Sequence, residues 1–96
     1  MRIDFHPEAT SELEESVDWY KEHSRSAEHG FILAVESAIL KIKRDPERFP
    51  RLDARCQSCN VETYPFQIVF RNDGGRILII AIAHAKRRPK YWRDRL

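Results

Sequence analysis

Glycine and cysteine are scarce in this chain of 96 residues, with three and two copies. No glycine-containing stretch matches a phosphate-binding loop or a dinucleotide fingerprint, so nucleotide-cofactor chemistry is not expected. No nucleophile elbow is present, although a Ser/His/Asp arrangement assembled by folding stays open. No apolar run approaches the roughly 20 residues of a membrane span. The opening MRIDFHPEA has no apolar signal-peptide core, so the expectation is a cytoplasmic protein with no membrane partner. Cys56 and Cys59 form one C-x-x-C without a second pair, whereas a zinc site takes four ligands. The following NVETYPF reads as a strand, unlike the helix that follows a thioredoxin-like motif. Structural cysteines are therefore preferred over metal or redox chemistry, and no cofactor is expected. Repeats and low-complexity segments are also missing. Residues 1–96 make one domain, and a chain of this size buries only about 60–65% of its extended surface.

Charge is plentiful and unevenly placed. Residues 1–28 carry eight acids and three bases, a net of −5, while residues 84–96 carry six bases and one acid, a net of +5. The basic end suits a polyanion or an acidic protein, or is a solvated face. Immediately before it, Ile77 to Ala83 is an unbroken apolar run after Gly74-Gly75. Its β-branched content reads as a central strand buried on both faces, delivering a basic, aromatic-studded tail to the surface.

Earlier in the chain, Met1 to Phe5 reads as a first strand with Ile3 and Phe5 on one face. Pro7 suits a first helical position, and Glu8 and Glu12 favour the positive end of the dipole. Ala9, Leu13, Val17 and Tyr20 form one stripe, predicting a helix over 9–22, with Glu12, Glu14, Glu15 and Asp18 on the other faces. Trp19 lies off the stripe, either packing at its edge or serving a partner. His23 to Gly30 reads as a polar connector with Ser26 as the next N-cap. Phe31, Val35, Ala38, Ile39 and Ile42 predict a second helix over 29–44, ending before Asp45-Pro46. The pair should form a helical hairpin. A loop over 45–57 follows, anchored by Phe49. Strands are predicted at 60–64 and 67–71 with a bend at Pro65, then a hairpin turn at Asn72-Asp73-Gly74-Gly75 and the strand 77–83. The order strand–helix–helix–strand–strand–strand gives an α+β fold, a helical hairpin on a mostly antiparallel sheet with a basic C-terminal tail.

The tail holds the chemically suggestive residues His84, Lys86, Arg87, Arg88, Tyr91, Trp92 and Arg93. A metal-independent ribonuclease needs a base, an acid and cations for the phosphate. His84 or Tyr91 could move protons, the Lys/Arg cluster could hold phosphate, and Tyr91 or Trp92 could stack on a base. Each has a plainer reading: His84 as a hydrogen-bonded strand end, Trp92 as a core plug, Arg93 and Arg95 as solvated or contacting acids of the first helix. Arg87 and Arg88 point most strongly to a phosphate or carboxylate partner.

The ending AIAHAKRRPKYWRDRL resembles that of the RelE/ParE superfamily of bacterial toxins from type II toxin–antitoxin modules, with His84, Arg87 or Arg88, Pro89, Tyr91 and Trp92 on the pattern. The resemblance extends to Ala9, Leu13, Glu14, Glu15, Trp19 and Tyr20, to Asp45, Pro46, Arg48, Phe49 and Pro50, and to Tyr64, Pro65, Phe66, Ile68, Val69 and Phe70. It implies an α+β toxin neutralised by a cognate antitoxin. Relatives either poison DNA gyrase by binding it or cut mRNA on the ribosome. The ending is nearer to the ParE-like side. Where mRNA-cutting relatives often carry an arginine before the strand pair, this chain has Gln57-Ser58-Cys59-Asn60. The resemblance thus favours a gyrase-binding toxin with no catalytic residues of its own. The alternatives are a ribosome-dependent endoribonuclease using His84 or Tyr91, and a non-toxic nucleic-acid-binding domain.

Overall fold

Two amphipathic stripes and one apolar run decide the architecture. In the computed structural model, which describes residues 1–96, strand β1 (Arg2–Phe5) leads into helices α1 (Pro7–His23) and α2 (Arg25–Arg44). Strands β2 (Gln57–Val61), β3 (Phe66–Asn72) and β4 (Arg76–His84) follow. The sheet order is β1-β4-β3-β2, with β1 parallel to β4 and the other pairs antiparallel. This is the expected α+β fold, a helical hairpin on a mostly antiparallel sheet.

The hairpin connection is tighter than the sequence predicts. Instead of a connector from 23 to 30 capped by Ser26, Ser24 alone joins the helices. Its backbone N–H donates to Tyr20 O at 2.8 Å and closes α1. Its side-chain oxygen accepts from Ala27 N at 3.2 Å and opens α2. One extended residue satisfies orphan groups at both ends, so α2 starts at Arg25, not at 29. Its buried stripe is Phe31, Val35, Ala38 and Ile42, with Ile39 only partly buried beside it.

Strand β2 also shifts, to 57–61 from the predicted 60–64. Glu62 to Pro65 forms a turn, with Thr63 at a left-handed φ of 76°. Tyr64 leaves the strand direction: its ring packs on Tyr20 and Phe31, and its hydroxyl donates to Ala27 O at 3.2 Å. Strands β3 and β4 each gain one residue at both ends. In the preceding loop Pro46–Arg48 forms a 3₁₀ turn, and Phe49 anchors it edge-to-face on Phe70.

Strand β4 is covered on both faces, as its composition predicts. Ile77, Ile79 and Ile82 join Phe31, Ile42, Ile68 and Phe70 under the helices. Ile80, Ala81 and Ala83 pack on the other face with Val69, Cys56 and Trp92. The change of phase is a β-bulge: Phe70 faces Ile79 and Val69 faces Ala81, leaving Ile80 as the extra residue. The two cysteines, free and buried, sit in different clusters, Cys56 on the tail side and Cys59 on the helix side. Burial pushes both thiols up, Cys56 to about 11.

Candidate functional site

At the end of β4 the chain turns sharply. Ala85 N donates to Pro65 O at 2.8 Å, Arg87 N to His84 O at 3.0 Å, and Lys86 N to the His84 Nδ1 at 3.0 Å. Lys90 adopts a left-handed φ of 56°, and the chain then folds back along the second face of the sheet. Trp92 is 3% exposed there, packed with Cys56, Val69, Ile80, Ala81 and Ala83. This packing anchors the tail to the second face of the sheet.

The tail is also tied across the edge of the sheet. Strand β1 pairs with β4 only as far as Ile79. Beyond it, the Glu12 carboxylate of α1 accepts from Ile82 N at 3.0 Å, and the Arg95 guanidinium donates to Ile80 O at 3.1 Å. Glu12 and Arg95 form a two-pronged pair at 2.9 and 3.0 Å, with side chains only 12% and 10% exposed. The second Glu12 oxygen accepts from the Tyr91 hydroxyl at 2.6 Å. This pair satisfies backbone groups that a missing strand would otherwise leave open. Burial alone would lower the Arg95 pKa, but the hydrogen bond and charge of Glu12 outweigh it and raise the value.

Outside this clamp the charges face solvent. Lys86, Arg87, Arg88, Lys90 and Arg93 are exposed. The Arg87 guanidinium lies 3.9 Å from the centroid of the Tyr91 ring, and Arg95 approaches the same ring at 5.1 Å. An open groove of about 710 Å³ runs between the tail and the β2–β3 turn, lined among others by Tyr64, Pro65, His84, Arg87 and Arg88. His84 is half-buried at its edge, its ring edge-to-face with Phe66 at 4.9 Å.

Tyr91 and His84, the two candidate proton-transfer residues, both have polar atoms engaged within the chain. Burial first, then the hydrogen bond and charge of Glu12, push the Tyr91 phenol far above its usual range. Its hydroxyl donates to the Glu12 carboxylate, which ties the ring to α1. The His84 Nδ1 accepts from Lys86 N, which places the proton of the neutral ring on Nε2. Gln57, at the start of β2, donates its side-chain amide to Pro46 O and Phe49 O at 2.7 and 3.0 Å. The sequence places Glu12 on the faces outside the apolar stripe and offers Arg95 a contact with acids of the first helix, which the structure shows, but it does not single out Glu12. The available signal was its spacing, three residues after Ala9 and next to Leu13, which sets it at the margin of the buried stripe.

The model of the ParE toxin of the type II toxin–antitoxin system parDE matches residues 3–89. A solved structure described as a chromosomal ParDE TA system from P. aeruginosa aligns with a TM-score of 0.66 and 20% identity, over 90% of this chain and 97% of that one. At that identity the likeness is one of fold. No curated protein matches the chain significantly.

Proposed function

This chain belongs to the family of ParE toxins of type II toxin–antitoxin systems, and from that premise we propose that it acts by docking its basic tail on DNA gyrase. The observation that carries this reading is the division of the tail. Trp92, Tyr91 and Arg95 hold it to the sheet, while Arg87, Arg88, Lys86, Lys90 and Arg93 are exposed, Arg87 resting on the Tyr91 ring. A cluster of exposed cations on an anchored segment steers an anionic protein surface toward it. Family membership favours a toxin over a non-toxic nucleic-acid-binding domain. A cognate antitoxin is the second partner. Trp19, Leu33 and Leu40 are more than half exposed and offer it apolar anchors on the helical hairpin.

The ribonuclease reading rests on His84 opening into the groove beside Arg87 and Arg88. Two assays on the purified chain separate the readings: inhibition of gyrase supercoiling, and mapped cleavage of ribosome-bound mRNA. The docking reading expects inhibition without cleavage. Cleavage without any effect on supercoiling rejects it in favour of the ribonuclease.

A further inference from the structure

We infer that Glu12 is the positioning residue of the tail, fixing Arg87 in its docking orientation through Tyr91; the inference rests on the docking reading above. Glu12 lies on α1, and the cations it governs lie more than seventy positions later, as the separations of its bonds to Tyr91 and Arg95 show. Four donors converge on one carboxylate: Ile82 N, the Tyr91 hydroxyl, and both terminal nitrogens of Arg95. From there a second tier reaches the surface. The phenol held by Glu12 presents its ring to the Arg87 guanidinium at 3.9 Å, and Arg95 holds the next turn of the tail, Arg93–Arg95. The other anchor, Trp92, fixes the depth of the tail through apolar contacts. Apolar packing has little directionality, so the orientation of Tyr91, and of Arg87 above it, is set by the hydrogen bonds to Glu12. Without the carboxylate, the Tyr91 hydroxyl loses its acceptor and the buried Arg95 side chain keeps only Ile80 O and the more exposed Glu8, so the tail gains freedom to solvate both groups. The ordering lost in the free protein must then be regained on docking, which weakens binding with no contact residue changed.

The test compares full-length Glu12→Ala and Glu12→Gln with the parent chain, reading amide hydrogen exchange and the concentration that inhibits gyrase supercoiling. In Glu12→Ala, exchange over 86–96 should rise at least about tenfold while α2 amides stay unchanged, and the inhibitory concentration should rise about tenfold or more. Glu12→Gln keeps one acceptor oxygen for part of the donor set and should fall between in both readouts. A role in stability alone would change exchange across the whole molecule and leave the potency of the folded protein intact. Parent-like tail exchange in Glu12→Ala, or a loosened tail with parent potency, overturns the inference. If Glu12→Ala does not fold, Tyr91→Phe carries the test: it removes one hydroxyl and should give the same pattern at a few-fold amplitude, and parent-like values there overturn the inference. The double charge reversal Arg87→Glu with Arg88→Glu keeps the two ideas apart. Full potency in that variant rejects the docking reading itself. Its inactivity alongside a parent-like Glu12→Ala rejects only the role of Glu12.

Discussion

Gly30 shows how one side chain can set the residue allowed at another position. It sits in the second turn of α2, where alanine is normally worth about 1 kcal/mol more than glycine. A Cβ there would collide with the Tyr64 hydroxyl oxygen. That hydroxyl is held by Ala27 O, and the Tyr64 ring is packed edge-on against Tyr20 and Phe31, so it cannot swing aside freely. Gly30→Ala should therefore destabilise the parent protein. In a Tyr64→Phe background, where the next nearest atom is an ordinary 3.6 Å away, the same change should stabilise by about 0.5–1 kcal/mol. Denaturant titration of the four proteins checks the reversal, and equal effects in both backgrounds would refute the steric account. Cys56 has a chemical signature of its own. Burial raises its thiol from 9.0 to about 11, so the folded state holds that proton more tightly than the unfolded one. Its contribution is complete below pH 9.0 and is lost as pH rises through about 11. Stability should fall across that window, and Cys56→Ala should flatten the decline. Neither cysteine should react with a disulfide reagent near pH 8 until the protein unfolds.

The helices and the central strand were legible because periodicity over many residues outvotes any one residue. Their junctions were not. Ser24 and Ser26 are equally good N-caps by composition, and only the packing of the two stripes decides that a single residue turns the chain. Ser24→Ala should cost about 1 kcal/mol in denaturant unfolding, and Ser26→Ala, exposed in the first turn of α2, should cost less than about 0.5 kcal/mol. Equal costs would mean that the cap is misplaced. The β2–β3 boundary failed for a similar reason. Val61, Tyr64 and Phe66 all have strand propensity, but propensity in strands reports the neighbours a side chain finds. Tyr64 finds its neighbours on α1 and α2, and the backbone follows it through the strained Thr63 turn. Ile39 was legible as helical and apolar but not as peripheral. Ile42→Ala should cost about 2–5 kcal/mol, and the partly buried Ile39 should cost clearly less than Ile42.

Across the whole molecule, the acidic beginning and the basic end are partners in part. Glu8 and Glu12 meet Arg95, and the remaining tail cations are left unpaired by any acid. The charge asymmetry was visible in the sequence, but which arginine is internal was not, because that depends on β1 ending short of the end of β4. The division predicts how substitutions in the tail should differ. If the free cations form a docking array, their work is spread over charge and shape, so His84→Ala should keep most of the growth arrest. Reversing Arg87 and Arg88 together should abolish it, because like charges across an interface cost several kcal/mol and slow encounter. Association of the parent with its target should also slow as salt rises from 0.05 to about 0.5 M, since the Debye length shrinks from roughly 14 to 4 Å. If the tail were instead an active site, His84→Ala would cost about 10²–10⁴-fold in rate while salt changed only binding. Growth curves for the two variants, read beside association rates across salt, distinguish these cases. Loss of arrest in a folded His84→Ala variant with unchanged target affinity would reject docking as the mechanism.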